Sequence, residues 1–288
     1  MTLNRFLSAL LLSFLFSCGA RAGTPSAAAI KQLADDYFSK RPSTVLHAGL
    51  TLAEARQAQD DFVSRLIPQL GECAGYKVGL TSKAVQESVG ATAPVRGVLL
   101  RDMLKQDGAT ISAKFGARPI WEPDLIVSVK DEGINNARTT LQAAQHLAEI
   151  VAFIELPDRI VAESEKIDGT LITAVNAGAR LGILGPRAKI EATKEYLDAL
   201  EKMTVTATDQ NGAELAKAPG SALLGHPLHP VLWLVEDLKA TGGKLKAGDL
   251  ISLGSFAKPV PPQPGQEITV RYDGLPGGTL KVSVRFVE

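Results

Sequence analysis

Glu122-Pro123-Asp124 opens an apolar, β-branched run, and a third acid, Glu155, ends another at residues 151–154. Residues two apart on a strand point to the same face, so Glu122 and Asp124 can aim at one point. Pro123 between them is tolerated at a strand start or edge, where its missing N–H costs little. Three carboxylates brought together repel unless a cation joins them, and an all-oxygen ligand set selects Mg²⁺, Mn²⁺ or Ca²⁺. E-x-D is also a common pattern. The same spacing fits two exposed strand-end acids plus an unrelated one.

Lys77 lies inside Tyr76-Lys77-Val78-Gly79-Leu80. A lysine in a short apolar strand either snorkels to water or meets an anion. Gly75 and Gly79 permit close approach of backbone or ligand. Substrate contact and an exposed edge lysine both remain open at this point. Asp102 interrupts the apolar run Leu99-Leu100-Arg101-Asp102-Met103-Leu104. Its simplest reading is pairing with Arg101 or Lys105, or a turn. Gly225-His226-Pro227-Leu228-His229-Pro230 reads as a rigid entry into a helix rather than a metal site. No nucleophile elbow, phosphate-binding loop or dinucleotide fingerprint stands in a convincing context.

The elements that must position these residues are of mixed type. Residues 23–75 read as a helical N-terminal part. One helix begins at Ala27, and a second is capped by Thr51 with Glu54 completing a capping box and is closed by Pro68 and Gly71. Residues 76–288 read as a β-rich body. Strands are expected at 75–80, 119–129, 151–155, 203–207 and 250–253, with helices at 138–152 and 229–241 and a helix or connector at 189–203. Residues 267–272 and 280–286 alternate with period two around a glycine-rich turn, which predicts a terminal hairpin. The fold class is α+β.

Composition narrows the partners. Of 288 residues, 31 are Lys or Arg and 31 are Asp or Glu, so the formal net charge is zero. No basic excess exists to hold a phosphate backbone, which argues against nucleic acid. Residues 1–22 stand apart. Arg5 precedes an apolar run at 6–16 that is too short to span a bilayer and fits a signal segment. Ala20-Arg21-Ala22 offers a cleavage site before Gly23, so export to a periplasm or beyond the cell is expected. A second reading takes Leu15-Phe16-Ser17-Cys18 as a lipoprotein box, with a lipid anchor on Cys18. No later segment is apolar enough to be transmembrane. Only Cys18 and Cys73 are present, so removal of the signal leaves Cys73 without a partner in the chain.

Taken in order, these segments resemble one family. Gly75-Tyr76-Lys77-Val78-Gly79-Leu80-Thr81-Ser82 is similar to the K-V-G-L-T motif of 2-keto-4-pentenoate hydratases. Those enzymes belong with 4-oxalocrotonate decarboxylases to the fumarylacetoacetate hydrolase superfamily. Gly97 to Met103, Glu122-Pro123-Asp124, Ile154-Glu155, Leu224 to Leu228, Gly248 to Ser255 and the final hairpin follow the family order. The resemblance implies a mixed β-roll-like body behind the helical part. It implies Mg²⁺ or Mn²⁺ on Glu122, Asp124 and Glu155, chelating a 2-oxo or 2-hydroxydienoic acid and stabilising an enolate. It makes Lys77 a catalytic and substrate-binding group, Asp102 the acid/base and Ser255 a substrate contact, and it suggests homo-oligomers. Three departures stand out. Asp124 replaces the usual Glu, Ala174-Val175-Asn176-Ala177-Gly178 replaces A-D-N-A-S, and Trp121 is an unusual neighbour that would narrow the pocket. They leave a hydratase, a related decarboxylase or C–C hydrolase, and a non-catalytic binder as alternatives.

Overall fold

The computed structural model describes residues 23–288. The expected signal and Cys18 lie outside the described residues. Two helices come first. Helix α1 (Ala27–Ser39) is capped by Ser26, and α2 (Leu52–Leu70) starts on the expected Thr51–Glu54 capping box. Pro68 lies inside the last turn of α2 rather than beyond it, and Gly71 at φ 77° ends the helix.

The body follows as β1 (Cys73–Gly79), α3 (Lys83–Ser88), β2 (Val95–Leu100), β3 (Leu104–Gln106), β4 (Ala109–Ser112), β5 (Glu122–Val129), α4 (Thr140–Gln145) and β6 (Leu147–Leu156). Then come α5 (Gly169–Ala174), β7 (Leu181–Lys189), α6 (Lys194–Lys202), β8 (Thr204–Thr208), β9 (Glu214–Pro219), α7 (His229–Ala240), β10 (Leu250–Ser252) and the hairpin β11 (Glu267–Asp273) and β12 (Leu280–Val287). The class is α+β, a helical start followed by a mixed β body, as the sequence predicts.

One mixed sheet runs β2-β1-β10-β5-β6-β7-β3 and a second runs β4-β12-β11-β8-β9. In the larger sheet β10 inserts between β1, to which it is parallel, and β5, to which it is antiparallel. Alternation then sorts the side chains. Val78, Leu125, Val127, Ala152, Ile154 and Ile251 enter the main core, shared with the second sheet, α6 and α7. Lys77, Ser252, Glu122, Asp124 and Glu155 take the other face, beside a small cluster of Ile126, Val151 and Phe153.

Two expectations are corrected here. The helix expected at 138–152 is only α4, and β6 begins at Leu147. A strand buried on both faces carries no polar alternation, so its apolar residues also fit helical spacing. The boundary expected after residue 75 falls inside β1. Phe62 and Leu66 of α2 share a second core with Leu99, Leu100, Met103, Leu171 and Ala174, so the helical part is packed into the body. No helix among the described residues is long and apolar enough to cross a membrane.

The hairpin also braces the acid-bearing strands. The Tyr272 hydroxyl reaches from the core side into the β5–β6 pair, where it accepts a hydrogen bond from Phe153 N–H at 3.2 Å. It also lies within donating reach of the Asp124 and Phe153 carbonyls. Asp124 and Phe153 are register partners, two positions along from the Glu122–Glu155 pair. Replacing Tyr272 by Phe strands a buried N–H, and the expected cost is about 1–3 kcal/mol of unfolding free energy in a denaturant titration.

Candidate active site

Glu122 and Glu155 face each other directly across β5 and β6. Asp124 follows two residues on, and Lys77 reaches the same face through β10, because Lys77 pairs with Ser252 and Ser252 with Ile126. Lys77, Asp124 and Glu155 are buried. Lys77 Nζ lies 2.5 Å from Glu155 Oε1 and donates to the Ala177 carbonyl at 2.9 Å. Lys77 is the only partner of that buried Glu155 oxygen among the described residues.

Asp124 is held differently. Its Oδ2 accepts from Ser252 Oγ at 2.5 Å, and its Oδ1 accepts from the N–H groups of Leu125 at 2.5 Å and Gly254 at 2.9 Å. The three acids share a face, but Asp124 is turned aside toward β10. No three carboxylate, imidazole or thiol groups among the described residues are gathered as a metal would gather them.

The electrostatics follow from burial. Desolvation, then the nearby Glu155 charge, pushes Glu122 up to about 8. Desolvation and then Glu155 push Asp124 up to about 7, against the hydrogen bonds from Ser252 and Leu125. For Lys77, burial alone would lower the pKa. The attraction of Glu155, then of Glu122 and Asp124, outweighs burial and holds the ammonium above the usual lysine range. With every group ionised, three carboxylates face the Lys77 ammonium, and at Glu122 the Arg159 guanidinium adds its attraction, so negative charge stays in excess close to the acids. Hard oxygen donors with excess negative charge and raised proton affinity fit a divalent cation.

The remaining expected residues are placed elsewhere. Asp102 sits on the 3-10 turn after β2 with its side chain 58% exposed and Arg101 Nε 4.0 Å away. It lies five residues beyond Gly97, the register partner of Lys77, and past the end of β2. Within this chain it stands apart from the acids, exposed beside Arg101. Ser255 spends its hydroxyl on its own loop, donating to the Ala257 carbonyl at 2.6 Å and accepting from the Ala257 N–H at 3.2 Å. Trp121, one residue before Glu122, faces the main core instead of narrowing the site. His226 and His229 hold the entry to α7 through backbone bonds involving Leu228, Leu197 and Leu224.

Sequence reasoning missed four contributors: Ser252, the Gly254 N–H, the Ala177 carbonyl and Asn176. Ser252 had a signal, since a lone hydroxyl between apolar strand residues needs a buried partner. The carbonyl and the N–H carry no side-chain signal at all.

Raised carboxyl pKa values have a definite sign for stability. The unfolded chain releases the Glu122 proton near the ordinary 4.5, whereas the folded chain keeps it until about 8. The contribution is therefore present below 4.5 and lost as pH rises through that window. In metal-free protein, E122Q or D124N is expected to lessen this loss. At pH 8–9 each gains about 1 kcal/mol or more, a Tm rise of roughly 2–4 °C in calorimetry.

No protein-family model matches the chain. Curated relatives do. The chain is 30% identical over 244 residues to 4-oxalocrotonate decarboxylase of Pseudomonas putida, covering 83% of this chain and 86% of that protein. It is 30% identical over 247 residues to 2-oxo-hept-4-ene-1,7-dioate hydratase of Escherichia coli, covering 83% and 88%. Among solved structures, 4-oxalocrotonate decarboxylase from Pseudomonas putida G7 complexed with magnesium and adipate superposes with TM-score 0.77 at 26% identity, over 91% of this chain and 97% of that one. A chain from Oleispira antarctica described as a fumarylacetoacetate isomerase/hydrolase shares the fold at TM-score 0.51 and 15% identity, over 74% of this chain and 93% of that one.

Proposed function

Because the chain belongs to the family of 2-keto-4-pentenoate hydratases and 4-oxalocrotonate decarboxylases, we propose that its lysine–carboxylate cluster is the active centre of a lyase. The substrate class is a small 2-oxo or 2-hydroxydienoic acid. The observation that carries this reading is the placement of three carboxylates, Asp124 and Glu155 buried and Glu122 half-buried, beside the buried Lys77 ammonium on one sheet face. Glu122, Asp124 and Glu155 would hold Mg²⁺ or Mn²⁺, and the related decarboxylase complexed with magnesium supports that choice. When bound, the ion would polarise the 2-oxo group and stabilise an enolate.

The chain's own residues do the rest. Lys77 has three N–H donors. Two are directed to the Ala177 carbonyl and Glu155 Oε1, so one remains for a substrate oxygen. A charge-assisted hydrogen bond there favours the anion that develops on that oxygen. Burial of the cluster excludes water and strengthens each of these interactions. Asp102 and Ser255 have no place in this scheme as the chain is folded.

Two departures that favoured a non-catalytic binder have structural roles. Val175 packs into the core under α1 and α2, so it does not line the site. Gly178 adopts φ +67°, and a Cβ there would stand 2.9 Å from the Asp158 carbonyl. Hydratase remains the leading chemistry, with decarboxylation and C–C hydrolysis as variants of the same enolate route.

Titration calorimetry with Mn²⁺ tests the centre directly. Wild type is expected to bind, and E122A and E155A are expected to stay folded and lose binding. A wild-type protein that takes up no divalent metal sinks the reading. Turnover of 2-hydroxypenta-2,4-dienoate against 4-oxalocrotonate and acylpyruvates then separates hydratase from decarboxylase and hydrolase. We also propose export, on the composition of residues 1–22 alone. Sequencing of the mature N-terminus is expected to begin at Gly23. A lipidated Cys18 would mean an anchored form instead, and an intact Met1 removes both.

A further inference from the structure

We propose that Gln59 and Asn176 are positioning residues that aim Lys77 into the active centre; this rests on the role given to Lys77 above. Residues 176–178 all adopt positive φ, at 55°, 50° and 67°. Asn tolerates that region and Gly favours it, but Ala177 pays about 1 kcal/mol or more unless its surroundings impose it. The strained turn has one visible product. It presents the Ala177 carbonyl to Lys77 Nζ at 2.9 Å.

The surroundings that impose the turn are specific. The fully buried Asn176 side chain docks on the backbone of Val98 in β2, accepting from its N–H at 2.7 Å and donating to its carbonyl at 3.0 Å. Gln59 of α2, also buried, donates to Asn176 Oδ1 at 3.1 Å and to the Arg96 carbonyl at 2.6 Å. One amide therefore ties helix, strand and turn together. Gly97 completes the arrangement. A Cβ there would meet the Asn176 carbonyl and Lys77 Cγ, both at 2.8 Å, so only glycine lets the turn and the lysine stem pass each other.

A lysine has four rotatable side-chain bonds and considerable rotamer freedom. Glu155 attracts its charge but does not fix its direction. The Ala177 carbonyl supplies the second anchor that leaves one N–H pointing in a defined direction. The line Gln59–Asn176–Ala177 is what fixes that carbonyl.

The test uses Q59M and N176A in the full chain, with ¹⁵N NMR of lysine ammonium groups and steady-state kinetics on 2-hydroxypenta-2,4-dienoate and 2-hydroxyhexa-2,4-dienoate. Wild type is expected to show a slowly exchanging ammonium signal, assigned by its disappearance in K77M. In both variants that signal is lost, kcat falls about ten- to hundredfold and KM stays within about threefold, because placement rather than binding is disturbed. Should either variant fail to fold, Q59L keeps roughly the side-chain size and removes the donor without burying a charge, with the same expected outcome. A folded variant that retains the signal overturns the proposal, and so does its absence from wild type. If wild type turns over no substrate, the lyase reading fails while the ammonium signal still decides the positioning role.

Discussion

The buried Lys77 ammonium beside Glu155 is the interaction on which the rest of the site depends. Removing one partner from such a pair typically costs about 3–5 kcal/mol, whereas a well-packed apolar replacement of both is often neutral or stabilising. Stability alone therefore does not explain why a lysine and two acids are buried together with a third, half-buried acid beside them. The architecture bears this out by the number of elements committed to it. β10 comes from the C-terminal part of the chain to lie between β1 and β5, which sets Ser252 between the lysine and the acids. Gly75 allows that insertion, since a Cβ there would stand 1.9 Å from the Leu250 carbonyl.

Much of the frame was legible in the sequence because it rests on local chemistry. The Thr51–Glu54 capping box, the glycine stop at residue 71 and the alternating terminal hairpin are all decided within a few residues. The E-x-D spacing gave the shared face for the same reason, since alternation is a property of one strand. What was not legible depends on distant residues or on backbone atoms. Asp102 and Ser255 occupy family-like segments, yet only the folded chain shows that one is exposed and the other is bonded to its own loop. The strand β6 was partly read as helix because burial on both faces removes the polar marks that identify a strand.

The departures from the family pattern have local explanations as well. Asp124 has the shorter side chain, and that length suits it to the Ser252 hydroxyl and the Gly254 N–H beside it. Gly254 is itself constrained, with φ +108° and the Thr81 side chain where its Cβ would be. Trp121 is large, but alternation sends it away from the acids and into the core. These substitutions change how the scaffold holds its carboxylates while keeping the carboxylates themselves.

Charge decides the order in which such a centre can be filled. A 2-oxo acid is an anion at neutral pH, and the cluster with all groups ionised already has more carboxylates than the buried Lys77 can balance. At an effective dielectric of about 20, two unit charges 4 Å apart interact by about 4 kcal/mol, so an anionic substrate is repelled from the cluster as it stands. Protons on Glu122 and Asp124 lower that repulsion at neutral pH, as their raised pKa values indicate. Such protons also occupy the oxygens that would receive the substrate's own countercharge. A divalent cation held by these carboxylates would remove both obstacles, since it would replace their protons and be attracted by the excess negative charge. Lys77 alone cannot do this, since Glu155 already claims its charge. The same excess of negative charge that makes the metal-free cluster costly to bury would favour a cation there ahead of an anionic substrate.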